Sequence, residues 1–375
     1  MINFIKNFLI LSLVYLYAIV RRSSKSRVEG KVKKIIVMPA SKLGDMVCAT
    51  PIYRAIKDYD KNIEVTVCAG SIYNALLKDN TDIDNYFSWN ESEWFKNISL
   101  IRANNYDVAV VTTPSFIAAA TFFLAGIKTI VVPNVVNGFS PYQTKSYRLM
   151  FPLLTTVSHI MGNYAPKEYL RLLEPIGVKY TDTTKHLSYS ESDNIKAENF
   201  LRNDKVKAKY NIAIVPGVGN SIKYWDTTNF IKLTKYIIDN YDARVFLLGA
   251  KQDKEVCDTI SKHFIGDDRV INANSEFNMS EIKAFVSKMS LLIAVDTGLI
   301  YVAEAFKVPT IDIIGSMDEN EQPPRGDIHK LVYIEGRKPE IHIMNSRTYN
   351  KDIARSHIDN IKPDMVYPFI NELLK

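Results

Sequence analysis

Cysteine is scarce in this sequence, and the three copies form no pattern. Cys48, Cys68 and Cys257 are widely spaced, odd in number and surrounded by apolar residues. A disulfide framework and a cysteine metal site both need paired or clustered cysteines, so the sequence excludes both. A reducing cytosol is the natural compartment for such a chain.

The glycine-rich motifs of the common nucleotide-binding folds are also missing. The loop at residues 40–45, which follows the first predicted strand, has one glycine, Gly44, and therefore no G-x-G-x-x-G fingerprint. No G-x-x-x-x-G-K-[ST] phosphate-binding loop occurs elsewhere. These absences argue against a plain dehydrogenase and against an NTPase.

Patterns that bind nucleic acid or metal are absent too. The net charge is only +6, and no lysine or arginine run is interleaved with stacking aromatics, so nucleic acid is not an expected partner. Asp82-Ile83-Asp84 matches the D-x-D pattern of metal-dependent sugar transfer, but it follows no clear strand end, which favours a polar loop. The histidines are scattered without a ligand pair, so no metal and no cofactor is predicted.

One apolar run stands near the N-terminus. Residues 8–20 (FLILSLVYLYAIV) are apolar apart from Ser12. Thirteen helical residues cover about 20 Å, which is short of the roughly 30 Å hydrocarbon core of a bilayer. Basic residues crowd behind the run: Arg21, Arg22, Lys25, Arg27, Lys31, Lys33 and Lys34.

This basic flank favours a helix held at the cytoplasmic face of the inner membrane, anchored or peripheral, with the membrane surface as the partner of residues 2–34. A cleaved signal peptide fits less well, because no small-residue cleavage site follows. A buried core helix is the other alternative, and the sequence does not decide between spanning the membrane and lying flat on it.

The remainder alternates short β-branched runs with helical patterns, which is typical of parallel βαβ units. The length of 375 residues fits two domains, and the apolar fraction of 47% fits globular ones. The predicted strands are 34–38, 63–68, 107–112 and 129–132 in a first series, then 211–215, 244–248, 291–295 and 310–314 in a second. The sequence therefore predicts an α/β fold with two facing, doubly wound, Rossmann-like domains.

We place a hydrophobic segment and basic linker at residues 1–32, an N-terminal Rossmann-like domain at 33–187, a C-terminal Rossmann-like domain at 188–345 and a helical segment at 346–375. Between the two strand series, residues 134–177 carry several aromatics: Tyr142, Tyr147, Phe151, Tyr164 and Tyr169.

Polar residues and glycines gather just after the predicted strands, where open parallel sheets bind their ligands. Asp45 opens a predicted helix at residues 45–58, directly behind Gly44. It fits a helix N-cap as well as a general base that takes a proton from an acceptor hydroxyl.

The second series offers a diphosphate site by the same reasoning. Asp296-Thr297-Gly298 follows an apolar strand and opens a predicted helix at 299–306, whose N-terminal N–H groups suit phosphate; simple capping is the alternative. Lys223 ends a loop that contains Gly217 and Gly219, and it is either a partner for the diphosphate or a solvated lysine.

With these residues in place, the chain resembles the heptosyltransferase family, glycosyltransferase family nine, which builds the inner core of lipopolysaccharide. The likeness spans about residues 34–324 in four stretches that keep the family's order. They are IIVMPASKLGDMVCATPIYRAIK from Ile35, VPGVGNSIKYWDTTNF from Val215, VFLLGAKQD from Val245 and AVDTGLIYVAEAFKVPTIDIIGSMDE from Ala294.

The resemblance implies a GT-B fold and an inverting, metal-independent transfer from a nucleotide-sugar, with ADP-heptose as the expected donor, to a lipopolysaccharide-core or related glycolipid acceptor. It implies that residues 33–187 are the acceptor-side domain and residues 188–345 the nucleotide-sugar-binding domain. A lipid-linked acceptor is then expected at the aromatics of residues 134–177, with a core role for them as the alternative reading. Asp45 would be the catalytic base. The donor would be bound by Gly44, Gly217, Lys223, Gly249, Asp253, Asp296, Thr297 and Gly298.

The chain departs from the family's pattern at three places, all on the donor side. Asp253 is one methylene shorter than the usual glutamate, Tyr301 replaces the histidine of DTG-x-x-H, and Gly315-Ser316-Met317-Asp318 replaces G-P-T-D. A non-catalytic sugar-nucleotide-binding protein and a GT-B sugar-nucleotide epimerase are the two alternative functions.

Overall fold

The computed structural model describes residues 2–21, 31–202 and 206–375, so residues 22–30 of the predicted basic linker lie outside the described part. The chain divides into two units. The first unit contains Met1–Asn74, Thr81–Thr184 and Ile343–Arg347. The second contains Ala75–Asn80, Lys185–His342 and Thr348–Lys375.

The first unit is built on a six-stranded parallel sheet in the order β3-β2-β1-β4-β5-β6. Its strands are β1 (Lys34–Met38), β2 (Glu64–Ala69), β3 (Asn85–Ser88), β4 (Val108–Val111), β5 (Thr129–Val135) and β6 (Thr155–His159). Its helices are α1 (Ile2–Arg21), α2 (Leu43–Cys48), α3 (Thr50–Tyr59), α5 (Trp94–Asn104), α6 (Phe116–Leu124), α7 (Lys145–Leu149) and α8 (Ala165–Arg171), while the short α4 (Asn74–Leu77) leads into the second unit.

The second unit repeats this architecture with the order β12-β11-β10-β7-β8-β9, again all parallel. Its strands are β7 (Tyr210–Val215), β8 (Ala243–Leu247), β9 (Val270–Asn272), β10 (Leu291–Val295), β11 (Thr310–Ile313) and β12 (His329–Val332). Its helices are α9 (Glu191–Arg202), α10 (Thr227–Asn240), α11 (Lys254–Lys262), α12 (Glu281–Val286), α13 (Gly298–Ala305), α14 (Lys351–Asp359) and α15 (Tyr367–Leu373).

In each sheet the strand order reverses between two central strands, β1 and β4 in the first unit and β7 and β10 in the second. The connections diverge at that point and leave a crevice at the carboxyl ends of the strands. The α/β prediction with two Rossmann-like, doubly wound domains is confirmed for each unit.

All eight predicted strands are present, but four further strands were missed: β3, β6, β9 and β12. Each of the four stands at the edge of its sheet. An edge strand is covered on fewer sides, so its residues need not be uniformly apolar and the sequence signal is weak.

The predicted helix at 45–58 is two helices, since α2 ends at Cys48 and α3 begins at Thr50. Pro51 stands in the first turn of α3, where a missing N–H costs little. The polar stretch at 188–209 was not predicted as helical, yet it contains α9.

The aromatics of residues 134–177 belong largely to the core of the first unit. Tyr147, Tyr164 and Tyr169 are buried, and the Tyr147 hydroxyl donates to the Pro133 carbonyl oxygen at 2.8 Å. Tyr142 stays half-buried beside Ser346, with 2.9 Å between the hydroxyl oxygens. The core reading is therefore the correct one for these three tyrosines.

The N-terminal hydrophobic helix is present as α1. Ile10 and Val14 are buried in the apolar core of the first unit, and the ring of Tyr17 meets that of Phe123 edge-on at 5.9 Å. Much of the opposite face is exposed. Among the described helices, none has both the length and the apolar character needed to cross a membrane.

Candidate active site

The sites predicted after the strands of the second unit occupy the carboxyl edge of its sheet. The loop after β7 ends in a 3-10 turn at Ser221–Lys223, and the Asn220 side chain caps that turn by accepting from the Ile222 N–H at 3.2 Å. Lys223 is thereby held in a turn. Its side chain is only 17% exposed, which argues against the alternative of a solvated lysine.

Gly217, Gly249 and Asp253 come together although they lie on two different loops. A Cβ atom at Gly217 would lie well inside 3.0 Å of the Asp253 carboxyl group, and a Cβ atom at Gly249 would lie 2.8 Å from the Asp253 Cβ. Neither glycine has a positive φ, so both are needed for space and not for backbone conformation.

Asp253 itself is fixed by its own loop. Its Oδ2 accepts from the backbone N–H of Ala250 at 2.8 Å, and burial raises the pKa of its carboxyl group. The other carboxyl oxygen of Asp253, Oδ1, is suited to accept a hydrogen bond from a neutral hydroxyl group such as that of a ribose. Gly217, Gly249 and Asp253 therefore form a local cluster, and its role in binding a nucleotide stays a prediction.

Lys223 and Asp296 form an ion pair across two strand-end loops. The Asp296 carboxylate is held from two sides, because Oδ2 accepts from Lys223 and Oδ1 accepts from the Tyr301 hydroxyl at 2.9 Å. Its backbone N–H donates to Oδ1 of Asp312 at 2.8 Å. Asp296 thus orients Lys223, and Tyr301 supplies a hydrogen-bond donor where the family pattern has histidine.

Asp312 is a fully buried carboxyl group in the middle of β11. Burial, and then the neighbouring Asp296 carboxylate, raise the pKa of Asp312 well above its usual range. Its Oδ2 has no hydrogen-bond partner among the described residues. A neutral, protonated Asp312 accounts for these features, since an ionised carboxylate in that place would be uncompensated.

Thr297 stands at the N-cap position of α13, and its side chain makes no capping hydrogen bond. Asp296 is occupied by Lys223 and Tyr301. The capping reading of these two residues is therefore wrong. The first turn of α13, with Gly298 at its start, presents backbone N–H groups of the kind that bind phosphate.

In the first unit, Asp45 lies in the opening turn of α2, but it is not the cap. Lys42 holds the N-cap position, without a side-chain capping bond. Asp45 is half-buried and lies near Tyr73, whose pKa is raised by burial and then by the Asp45 charge. The Tyr73 hydroxyl donates to the Ser41 carbonyl oxygen at 2.7 Å, which joins the two strand-end loops around Asp45.

Gly44 is buried in the same turn of α2. It belongs to the first unit, whereas the other predicted donor-binding residues belong to the second.

The acidic residues of the D-x-D pattern are engaged in ion pairs. Arg54 meets Asp82 at 2.9 Å, and Lys57 meets Asp84 at 2.6 Å. Both pairs tie α3 to the loop before β3, which agrees with the prediction of a polar loop.

One histidine does have ligand-type neighbours, contrary to the prediction for the histidines. Nδ1 of His342 lies 3.3 Å from a carboxylate oxygen of Asp318 and 3.3 Å from one of Glu321. This is the only such group of three in the described ranges. Hydrogen bonds to Asp318 and Glu321 raise the pKa of His342 to about 9, so the group is an imidazolium ion pair at neutral pH.

Sequence reasoning missed Asp312, Tyr73 and the His342 cluster, and it named Tyr301 only as a departure from the family pattern and not as a partner of Asp296. Asp312 left one signal, because it is the only charged residue in the apolar run Thr310–Ile314. Tyr301 stands one helical turn after Asp296, but nothing in the sequence shows which way its hydroxyl points.

Two Rossmann-like units define the GT-B class of glycosyltransferases, and the cluster around Lys223 and the N-terminus of α13 is of the kind that binds a nucleotide diphosphate. Residues 94–349 match the sequence profile of glycosyltransferase family 9 (heptosyltransferase). The chain therefore belongs to this family and is a glycosyltransferase.

The relatives and solved structures agree with that assignment. Lipopolysaccharide heptosyltransferase 3 of Escherichia coli K12 is 24% identical over 288 residues, which cover 73% of this chain and 80% of the relative.

Two solved structures share the fold. The E. coli ADP-heptose lipopolysaccharide heptosyltransferase II has a TM-score of 0.72 at 19% identity, and the match covers 91% of this chain and 98% of the E. coli chain. A family 9 glycosyltransferase from Veillonella parvula has a TM-score of 0.73 at 18% identity, and the match covers 92% of this chain and 98% of the V. parvula chain.

Proposed function

We propose that this glycosyltransferase moves heptose from ADP-heptose to a hydroxyl of a lipopolysaccharide-core or related glycolipid, by a single inverting displacement without a metal ion. The family supports the reaction class, and the names of the relatives support the donor and the acceptor. The observation that carries the donor side is the Lys223–Asp296 pair beside the first turn of α13.

The donor diphosphate becomes more negative as the bond to the sugar breaks. Lys223 and the N–H groups at the start of α13 stabilise that charge, which is the part of catalysis that gains most from fixed dipoles. Because Asp296 keeps Lys223 in place before the donor arrives, little reorganisation is needed at the moment of reaction.

The acceptor side requires one base. In the proposed step the acceptor oxygen bonds to the anomeric carbon while the bond from that carbon to the ADP oxygen breaks. The hydroxyl proton passes to the Asp45 carboxylate, and the bonding electron pair leaves with ADP. A single attack opposite the leaving group inverts the anomeric centre.

The carboxylates of the D-x-D loop already pair with Arg54 and Lys57, and Lys223 brings the cationic charge that a metal would otherwise supply. We therefore expect full activity after dialysis against a chelator.

The deciding experiment replaces Asp45 with asparagine and measures transfer from ADP-heptose to a lipopolysaccharide-core acceptor. We expect turnover to fall by about 10²–10⁴-fold, the range for loss of a general base, with donor affinity unchanged. Asp58→Asn is the matched control, since Asp58 is exposed near the end of α3 and accepts a hydrogen bond from the Tyr180 hydroxyl.

Full activity of Asp45→Asn would remove the base assignment. Donor binding without transfer in the native chain would instead favour the non-catalytic alternative. A panel of ADP-, UDP- and GDP-sugars in a thermal shift assay identifies the donor, because a ligand at a hundred times its Kd adds about 2.7 kcal/mol of stability.

A further inference from the structure

The outer face of α1 is apolar where a helix packed on a globular domain normally carries polar side chains. These side chains are exposed by 47% to 84% and recur at helical spacing: Ile5, Phe8, Leu9, Leu13, Leu16, Ile19 and Val20. We call these seven residues the α1 surface. Ser12 and the partly exposed Lys6 interrupt it, and the Ser12 hydroxyl donates to the Phe8 carbonyl oxygen at 3.0 Å.

The inner face of α1 already has its partner within the first unit. Ile10 and Val14 are 2% and 0% exposed, and the Tyr15 hydroxyl donates to the Leu149 carbonyl oxygen. The helix therefore packs with this inner face on α6 and α7.

A groove runs beside the α1 surface, between α1 and α5. It has a volume of about 410 Å³ and is lined mainly by apolar side chains, among them Leu16, Trp94 and Phe95. Phe95 is 70% exposed and extends the apolar area from one helix onto the next. A continuous apolar area of this kind marks a binding surface.

Charge identifies the partner. Residues 7–20 contain no charged side chain, whereas residues 21–34 contain seven basic residues and one acidic residue, Glu29. Within the described part of this stretch, Lys31 pairs with Asp60 and Lys34 pairs with Glu64. An apolar helix face followed by basic residues matches acyl chains beneath anionic headgroups.

We infer that the α1 surface binds an anionic phospholipid bilayer, with α1 lying in the plane of the headgroup–acyl boundary and the first unit held against the membrane. A second copy of this chain is less well matched, because two basic flanks would be brought together. The membrane would then present a lipid-linked acceptor to the enzyme from a fixed distance.

The test is sedimentation of the full chain with phosphatidylcholine vesicles that contain about a third phosphatidylglycerol, compared with phosphatidylcholine alone. We expect binding to the anionic vesicles that weakens with salt. Leu13→Gln combined with Leu16→Gln should lower the partition coefficient at least about tenfold, since both leucines would lose their place among the acyl chains.

The matched control is Ile265→Gln combined with Ile353→Gln, which removes exposed aliphatic side chains from the second unit. It should bind vesicles like the native chain. Trp94 offers an independent signal, because brominated lipid should quench its fluorescence in the native chain and lose that effect in Trp94→Phe.

Three results would overturn the inference. They are no vesicle binding by the native chain, equal binding by the α1 double variant, or dimerisation through the α1 surface without vesicle binding. The assay needs neither donor nor acceptor, so its failure would leave the proposed transfer intact. With a water-soluble acceptor, the α1 double variant should transfer sugar at the native rate.

Discussion

Replacing Gly217 with alanine tests whether the Asp253 carboxylate holds the donor. The added Cβ would overlap the Asp253 carboxyl group, so the side chain has to rotate away. Rotation breaks the 2.8 Å hydrogen bond from the Ala250 N–H, and a bond of this charge-assisted kind contributes about 1.5–3 kcal/mol. The carboxylate also leaves the place where it would accept from a ribose hydroxyl.

Donor affinity should reflect this loss directly. Since about 1.4 kcal/mol corresponds to a factor of ten in Kd, we expect Gly217→Ala to weaken ADP-heptose binding by about 10–100-fold in isothermal titration calorimetry. Turnover at saturating donor should change less, because neither Asp45 nor Lys223 is displaced.

Gly219→Ala is the matched control in the same loop. No heavy atom lies within 4 Å of a Cβ at Gly219, and its φ is not in the left-handed region. This variant should bind the donor within a factor of about two of the native protein, with slightly higher stability from the stiffer unfolded chain.

A double-mutant cycle separates the clash from other effects. If Gly217→Ala acts through Asp253, the double variant with Asp253→Ala should bind the donor no worse than Asp253→Ala alone. Native affinity in Gly217→Ala, or strict additivity in the cycle, would refute the ribose role of Asp253.

Three further predictions concern charge. Lys223→Ala should raise the donor Kd more than tenfold in calorimetry, because the α13 N-terminus alone remains for the diphosphate; unchanged binding would remove Lys223 from the site. Asp312→Asn should leave donor affinity and stability near native values, whereas Asp312→Ala should lower the unfolding free energy by about 1–3 kcal/mol in urea titration, since it strips the acceptor from the Asp296 N–H. The His342 ion pair should stabilise the second unit fully below pH 6.5, where the unfolded imidazole is also charged. Its contribution of up to about 3 kcal/mol should disappear as pH rises through about 9, and a native chain whose pH dependence matched that of His342→Gln would contradict this.

The sequence predicted the centre of each sheet and missed the edges. β4 and β10 are wholly apolar, and β1 and β7 are apolar after their first one or two residues, as expected for central strands of a parallel sheet that is covered on both faces. β3 (NYFS) and β9 (VIN) are short and only partly buried, so their patterns resemble those of loops. Burial, which is set by the fold, decides which strands leave a readable signal.

The candidate site followed the same division. Candidate residues in the loops that follow strands could be named from the sequence, for example Lys223, Asp253 and Asp296. Tyr301 and Asp312 act through side-chain direction within a helix and across neighbouring strands, and only the packed structure shows that direction.

The α1 helix shows the limit in another form. An apolar run predicts a helix and its attraction to a low-dielectric environment, yet a run that is apolar on all sides does not reveal which stripe packs inward. The structure selects Ile10 and Val14 for the core, and this choice leaves Leu13 and Leu16 outside.

The charges of the donor site lead to a conclusion about its selectivity. Lys223 brings one positive charge, which Asp296 already balances, and Asp253 adds a negative group nearby. Asp312 adds no positive charge, and burial raises the pKa of its carboxyl group well above its usual range. Tyr301 adds a hydrogen bond to Asp296 and no charge. With no positive surplus, these residues do not attract anions in general. If the proposed donor site is correct, recognition of a nucleotide-sugar would depend on placement, with a diphosphate at the start of α13 and a ribose hydroxyl at Asp253, both present in one ligand.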